Sequence, residues 1–239
     1  MQRVINFSGG KTSAYMTIQE YKKGDLVIFC DTGREHAKTY KFINDFEAFE
    51  NIPIIRLKYE GGFEELLKKK KGIPNNFKRF CTVELKVKTA RRYLRSLKIT
   101  KYENLIGFRY DEPLRVARRK KMWVDVIDKF PLFESKIDKN QINNYWKNKP
   151  YTLEIPSILG NCTLCFMKGK NAIINILSAY PELADEWIAD EENSKSLGKG
   201  YTYLNDITIK QLKSIAQNNL FKGQDLTQIT PAFNCACTS

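Results

Sequence analysis

Histidine is nearly missing from this chain: His36 is the single one in 239 residues. Acid–base catalysis near neutral pH therefore leans on that residue or on carboxylates with shifted pKa values. Long apolar runs are missing too. Nothing approaches the ~18 residues of a membrane span, so a membrane is not expected as a partner. The first residues lead into a strand candidate, not into a signal-peptide pattern, and the expectation is a soluble cytoplasmic protein. There is no internal repeat, and the one low-complexity stretch is Lys68–Lys71. The six cysteines lack a secretory context, which argues against a disulfide framework and leaves free thiols, metal binding or redox chemistry.

Acidic residues are scarce, 27 against 40 basic, for a formal charge of +13. The imbalance is local. Residues 56–121 hold 21 Lys and Arg but only seven Asp and Glu, a net +14, so the rest of the chain is close to neutral. Such a segment suits a nucleic acid or a highly charged nucleotide, and equally a solvated basic face. With 42% hydrophobic residues there is enough apolar material for a buried core.

Short apolar runs alternate with amphipathic ones. Arg3–Phe7, Leu26–Cys30, Ile52–Lys58 and Glu103–Phe108 read as strands. Thr12–Lys23, His36–Glu50 and Glu84–Lys98 read as helices, followed by helical stretches over Asn171–Glu192 and Asp206–Asn219. Strand–helix alternation predicts an α/β, Rossmann-like parallel sheet of about five strands flanked by helices. Composition changes near Lys121. We expect a nucleotide-binding core over 1–121 and a mostly helical, cysteine-bearing region over 122–239 packed on it.

Ligands of such sheets bind beyond the carboxyl ends of the strands. Two turns fall there: Ser8-Gly9-Gly10-Lys11-Thr12-Ser13 after the first strand and Asp31-Thr32-Gly33 after the second. A glycine-rich turn opening a helix presents backbone N–H groups and a positive dipole end to an anion, and Lys11 adds a full charge. The ordinary P-loop spacing is not met, because its first glycine would fall at Ile5.

The chain resembles the phosphoadenosine-phosphosulfate (PAPS) reductase family of the adenine nucleotide alpha-hydrolase, or pyrophosphatase-loop, superfamily, and especially its phage and mobile-element members. The residues that carry the resemblance are SGGKTSAYM at 8–16, FCDTGREHAKTYKFI at 29–43, RFCTVELK at 79–86, IGFRYDEPLR at 106–115 and GNCTLCFMKG at 160–169. It implies that Ser8, Gly9, Gly10, Lys11, Thr12 and Ser13 cradle the phosphates of ATP or PAPS. It implies also that Asp31, Thr32 and Gly33 lie beside the adenosine, and that Arg109, Asp111 and Glu112 close the site. Lys11 and Arg109 are then catalytic candidates. Many members carry Asp where this chain has Thr12, which leaves a magnesium requirement open.

Four thiolates can hold a four-iron–four-sulfur cluster or a tetrahedral zinc, and free thiols without a metal are the third reading. Cys81, Cys162 and Cys165, with Cys235 or Cys237 from the tail, form the expected set, and the resemblance favours iron–sulfur. It also implies a mobile tail cysteine as nucleophile, a role open to Cys235 or Cys237, although Asn234-Cys235-Ala236-Cys237 departs from the usual reductase tail. Cys30, ending an apolar strand, reads as core. His36 reads as an exposed first-turn helix residue or as an edge of the nucleotide site. The expected activity is sulfur-related chemistry on an adenine nucleotide with an electron or sulfur donor protein, in a homo-oligomer. The alternatives are ATP-dependent adenylation or thiolation of a nucleic acid, and a nucleotide-binding accessory protein of a DNA-modification or defence system.

Overall fold

The computed structural model describes residues 1–120, 123–196 and 200–218. Five parallel strands form one sheet in the order β3-β2-β1-β4-β5. They are β1 (Gln2–Asn6), β2 (Leu26–Asp31), β3 (Ile55–Lys58), β4 (Tyr102–Leu105) and β5 (Val126–Lys129). The chain builds outward from β1 to β3, then returns to place β4 on the other side of β1. The switch point therefore lies between β1 and β4, where open parallel sheets bind ligands.

The two faces are covered by different helices. On one, α1 (Lys11–Glu20), α2 (Ala37–Glu50) and α7 (Lys139–Lys147) bury a core around Ile5, Phe29, Phe42, Phe46 and Trp146. On the other, α4 (Lys88–Ser96) lays Leu94 against Val4, Ile28, Tyr102 and Val126. A third core is helical. It joins α3 (Gly62–Lys70) to α8 (Lys170–Ala179), α9 (Asp185–Ser196) and α10 (Ile209–Asn218) around Leu66, Ile173, Trp187 and Tyr203.

Several elements depart from the sequence expectation. The fifth strand lies at 126–129, past the composition change at Lys121, and α6 (Pro131–Glu134) and α7 that follow pack on α1. The stretch 171–192 is two helices and not one. Pro181 has no N–H to donate and disfavours helical backbone at Tyr180, which sits at φ −136° and ψ 68° between α8 and a short 3-10 turn. The helix expected from Glu84 opens instead as a π-helix, Thr82–Val87, before becoming α4. Among the described residues no helix is long and apolar enough to cross a membrane.

A polar ladder ties the sheet together near its carboxyl edge. Asn6 donates to the Asn104 side chain (2.7 Å), Asn104 donates to Asp128 (2.7 Å), and Asp128 accepts from Arg119 (2.8 Å). These partly buried groups satisfy one another across three strands, so β5 is anchored despite its four-residue length.

Candidate functional site

The loop from Ser8 to Gly10 is folded by its own hydroxyls. Ser13 Oγ accepts from the Ser8 backbone N–H and from Ser8 Oγ, and donates to the Gly10 carbonyl, all at 3.0 Å. Ser13 is thus buried as an internal strut of the loop. No side chain caps α1, and its first turn contains no acidic residue. The first N–H groups of a helix have no intrahelical partner, so this end suits an anion. Lys11 is half-buried, and desolvation lowers its pKa. A bound phosphate would oppose that shift and favour the charged form. Trp146 donates its indole N–H to the Lys11 carbonyl at 3.0 Å, bracing α1 from the aromatic segment that follows the sheet.

Gly9 has φ +76°, and a Cβ there would stand 2.7 Å from Thr39 Cγ2 and 3.3 Å from Ile43 Cδ1. Strain and overlap act together. Gly9→Ala is expected to lower stability by about 2–4 kcal/mol, read as a shift of the denaturation midpoint at unchanged slope. A change under about 0.5 kcal/mol would mean that the loop relaxes freely.

The second turn is equally tied. Asp31 Oδ1 accepts from the Gly33 N–H and from the Tyr40 hydroxyl, each at 2.7 Å. Gly33 itself has φ +74°. Thr32 Oγ1 donates to Glu35 Oε1 at 2.7 Å, and its N–H reaches Glu35 Oε2 at 3.2 Å. Burial pushes the Glu35 carboxyl upward, against the charge of buried Lys86. The Thr32 hydroxyl also lies 3.4 Å from Cys162 Sγ.

That contact opens onto a small pocket lined by Thr32, Cys81, Cys162 and Cys165, with Lys86 and Tyr203 among the others. Cys81 stands at the head of the π-helix, whose wide turn also presents Thr82, Leu85 and Lys86 to the pocket. The C-x-x-C loop is held by buried Lys168, which donates to the carbonyls of Cys162 and Thr163 at 2.8 Å each. Three of the expected thiols therefore share one pocket. Among the described residues no group of three or more His, Cys, Asp or Glu is arranged to hold a metal ion. Cys235 and Cys237 lie outside the described residues. Cys30 does not line this pocket; burial pushes its thiol up to about 11, and its Sγ lies 3.5 Å from the Lys86 carbonyl.

The loop after β4 faces the first helix. A side chain at Gly107 would touch Ser13 Cα and Thr12 Cγ2, both at 3.7 Å. Two residues on, Arg109 forks onto Asp111 at 2.9 and 3.1 Å and reaches Glu112 at 3.3 Å. Glu112 is buried and also accepts from Arg115 at 2.8 Å. The expected trio is thus an internally paired cluster beside α1.

His36 caps α2, its Nδ1 accepting from the Lys38 N–H at 3.1 Å. Desolvation lowers its pKa, so the neutral ring that a cap requires is favoured. Arg34 was not anticipated. Its guanidinium pairs with Asp190 (2.9 and 3.2 Å) and Glu186 (2.5 Å) and lies over Phe63 and Trp187, linking the second turn to the helical core. An arginine inside a DTGRE string gives no sign in sequence that its partners lie 152 and 156 residues away.

Residues 2–151 match the phosphoadenosine phosphosulfate reductase domain. The chain belongs to this family. Among relatives of the PAPS reductase domain protein described here is an uncharacterized nin region protein of Escherichia phage lambda. It is 32% identical over 204 residues, covering 72% of this chain and 68% of that protein. Two uncharacterized proteins of Methanocaldococcus jannaschii are 25% and 26% identical over 83% and 77% of this chain. The chain spans less than half of their length, 44% and 46%. A solved PAPS reductase from Candida auris, in a phosphate complex, aligns with a TM-score of 0.45 at 20% identity over 63% of this chain and 74% of its own.

Proposed function

We propose that this PAPS reductase family protein is an enzyme that holds ATP or PAPS at Ser8–Ser13 and Asp31–Gly33 and performs sulfur chemistry at the neighbouring thiol pocket. The observation that carries this reading is the 3.4 Å approach of Thr32 Oγ1 to Cys162 Sγ. One residue of the expected nucleotide turn thereby borders the thiols. Lys11 and the open N–H groups of α1 take the phosphates. Arg109 lies beside them, its charge already paired with Asp111 and Glu112.

Cys81, Cys162 and Cys165 have the donor chemistry for an iron–sulfur cluster or for zinc, with one tail cysteine completing the set. When bound, a cluster supplies a one-electron redox couple. The second tail cysteine would then be the thiolate that attacks the sulfur of a sulfonucleotide, forming an S–S bond as the S–O bond to the nucleotide's phosphate breaks and the nucleotide leaves. A donor protein's dithiol, oxidised to a disulfide, would supply the two electrons that release sulfite and restore the thiol.

The test is calorimetric titration of anaerobically purified protein, separately with Mg-ATP and with PAPS. One nucleotide is expected to bind, and Lys11→Ala to weaken it by about 10- to 100-fold through loss of a charge-assisted contact. PAPS alone points to reduction. ATP with release of pyrophosphate points to adenylation of a second substrate. Binding of neither would sink the nucleotide reading.

A further inference from the structure

Residues 56–120 expose fourteen Lys or Arg side chains against four acidic ones. The fold gathers a subset of them. Lys68–Lys71 close α3, whose neighbour is the π-helix. Glu84 on that helix accepts from both Lys70 (2.7 Å) and Lys88 (3.0 Å), so the one acidic group between them is already neutralised. Lys88, Arg92 and Arg95 then follow at i, i+4 and i+7, all exposed along one face of α4. Complementing the C-terminal dipole of α3 accounts for its own lysines. It does not account for the row on α4.

The same region presents an aromatic side chain to water. Phe77 is 82% exposed. It is held there by a tight turn in which the Asn75 side chain accepts from the N–H groups of Phe77 (3.0 Å) and Lys78 (3.1 Å). Lys78 reaches across to the Tyr201 ring, 5.7 Å from its centroid, and that ring packs against Gly72 at the start of the loop. Pro74 and Cys81, on either side of Phe77, both line the thiol pocket. An exposed aromatic on a hydrogen-bonded turn that follows the α3 lysines matches a ligand with regular negative charges and flat apolar faces.

We propose that this surface binds single-stranded nucleic acid, the lysines and arginines of α3 and α4 tracking its phosphates and Phe77 stacking on a base beside the pocket mouth. A duplex keeps its bases stacked inward, so only an unpaired strand offers Phe77 a partner. The surface stands apart from the nucleotide reading, since none of its residues belongs to either nucleotide turn.

The experiment is fluorescence anisotropy of the full-length protein with a labelled strand of about 20 nucleotides, as DNA and RNA, and with the matching duplex, between about 50 and 200 mM salt. The single strand is expected to bind more tightly than the duplex, with log affinity falling against log salt at a slope of about −3, as for four to five released counterions. Phe77→Ala should weaken strand binding about tenfold and leave the slope unchanged. The triple change Lys68→Ser, Lys69→Ser, Lys71→Ser should flatten the slope by about 2. All four positions are exposed, so thermal midpoints should match the parent, and Lys11→Ala should keep full strand affinity. Equal affinity for the duplex, a salt-independent signal, or an unchanged Phe77→Ala overturns the proposal.

Discussion

Replacing Arg34 by methionine is expected to lower stability by about 3–5 kcal/mol. The Arg34 and Asp190 side chains are each only 5% exposed, and the guanidinium engages both oxygens of that carboxylate. Glu186 is largely exposed and adds little. Without Arg34, the Asp190 carboxylate remains buried with, among the described residues, the Tyr203 hydroxyl (2.7 Å) as its hydrogen-bond partner. An uncompensated buried charge is far costlier than a lost surface pair. Burial already pushes the Asp190 carboxyl upward, and Arg34 is the main charge opposing it. In the variant the protonated acid is favoured by folding, so the deficit should shrink as pH falls from about 7 to about 5. Denaturant titrations at several pH values check this. The double variant Arg34→Met, Asp190→Leu, which removes both charges, should recover most of the loss. A single-variant deficit under about 1 kcal/mol would show that water reaches the pair.

The second large effect concerns the thiols. If the proposed thiol pocket takes a cluster, anaerobically purified protein will carry iron and sulfide and absorb in the visible. Cys81→Ser, Cys162→Ser and Cys165→Ser should each strongly reduce both signals, because each removes one of the thiolates that would hold the iron. Cys30→Ser should keep them. Its thiol, pushed to about 11, stays protonated and lies outside the pocket. Single changes at Cys235 or Cys237 tell which tail cysteine is the ligand. Iron-free protein with one equivalent of zinc would replace the cluster by a structural metal. Retention of iron by Cys81→Ser would remove Cys81 from the set.

The candidate site was legible in proportion to how local its signals are. SGGKTS and DTG are contiguous strings after apolar strands, and the parallel sheet brings them to one edge. β5 escaped notice because it is a short edge strand: Val126 is buried, while Ile127 is exposed and Asp128 is fixed by Arg119 and Asn104. A strand that satisfies its polar side chains across the sheet leaves no clean hydrophobic alternation. The division of 171–192 rests on Pro181 alone, with helical sequence on both sides of it.

Sequence by itself determined the α/β class, the places of the first four strands along the chain, the glycine-rich turn after β1 and the concentration of positive charge. Each depends on neighbours within a few residues: apolar periodicity, glycine where φ is positive, like charges in a row. Tertiary structure alone decided that Cys81, Cys162 and Cys165 line one pocket, that Thr32 borders it, that Arg34 anchors the second turn to α9, and that Phe77 stands in water on the turn between α3 and the π-helix. Those relations join residues up to 156 positions apart. They arise from how the helical core docks against the sheet, and no local pattern of side chains encodes that docking.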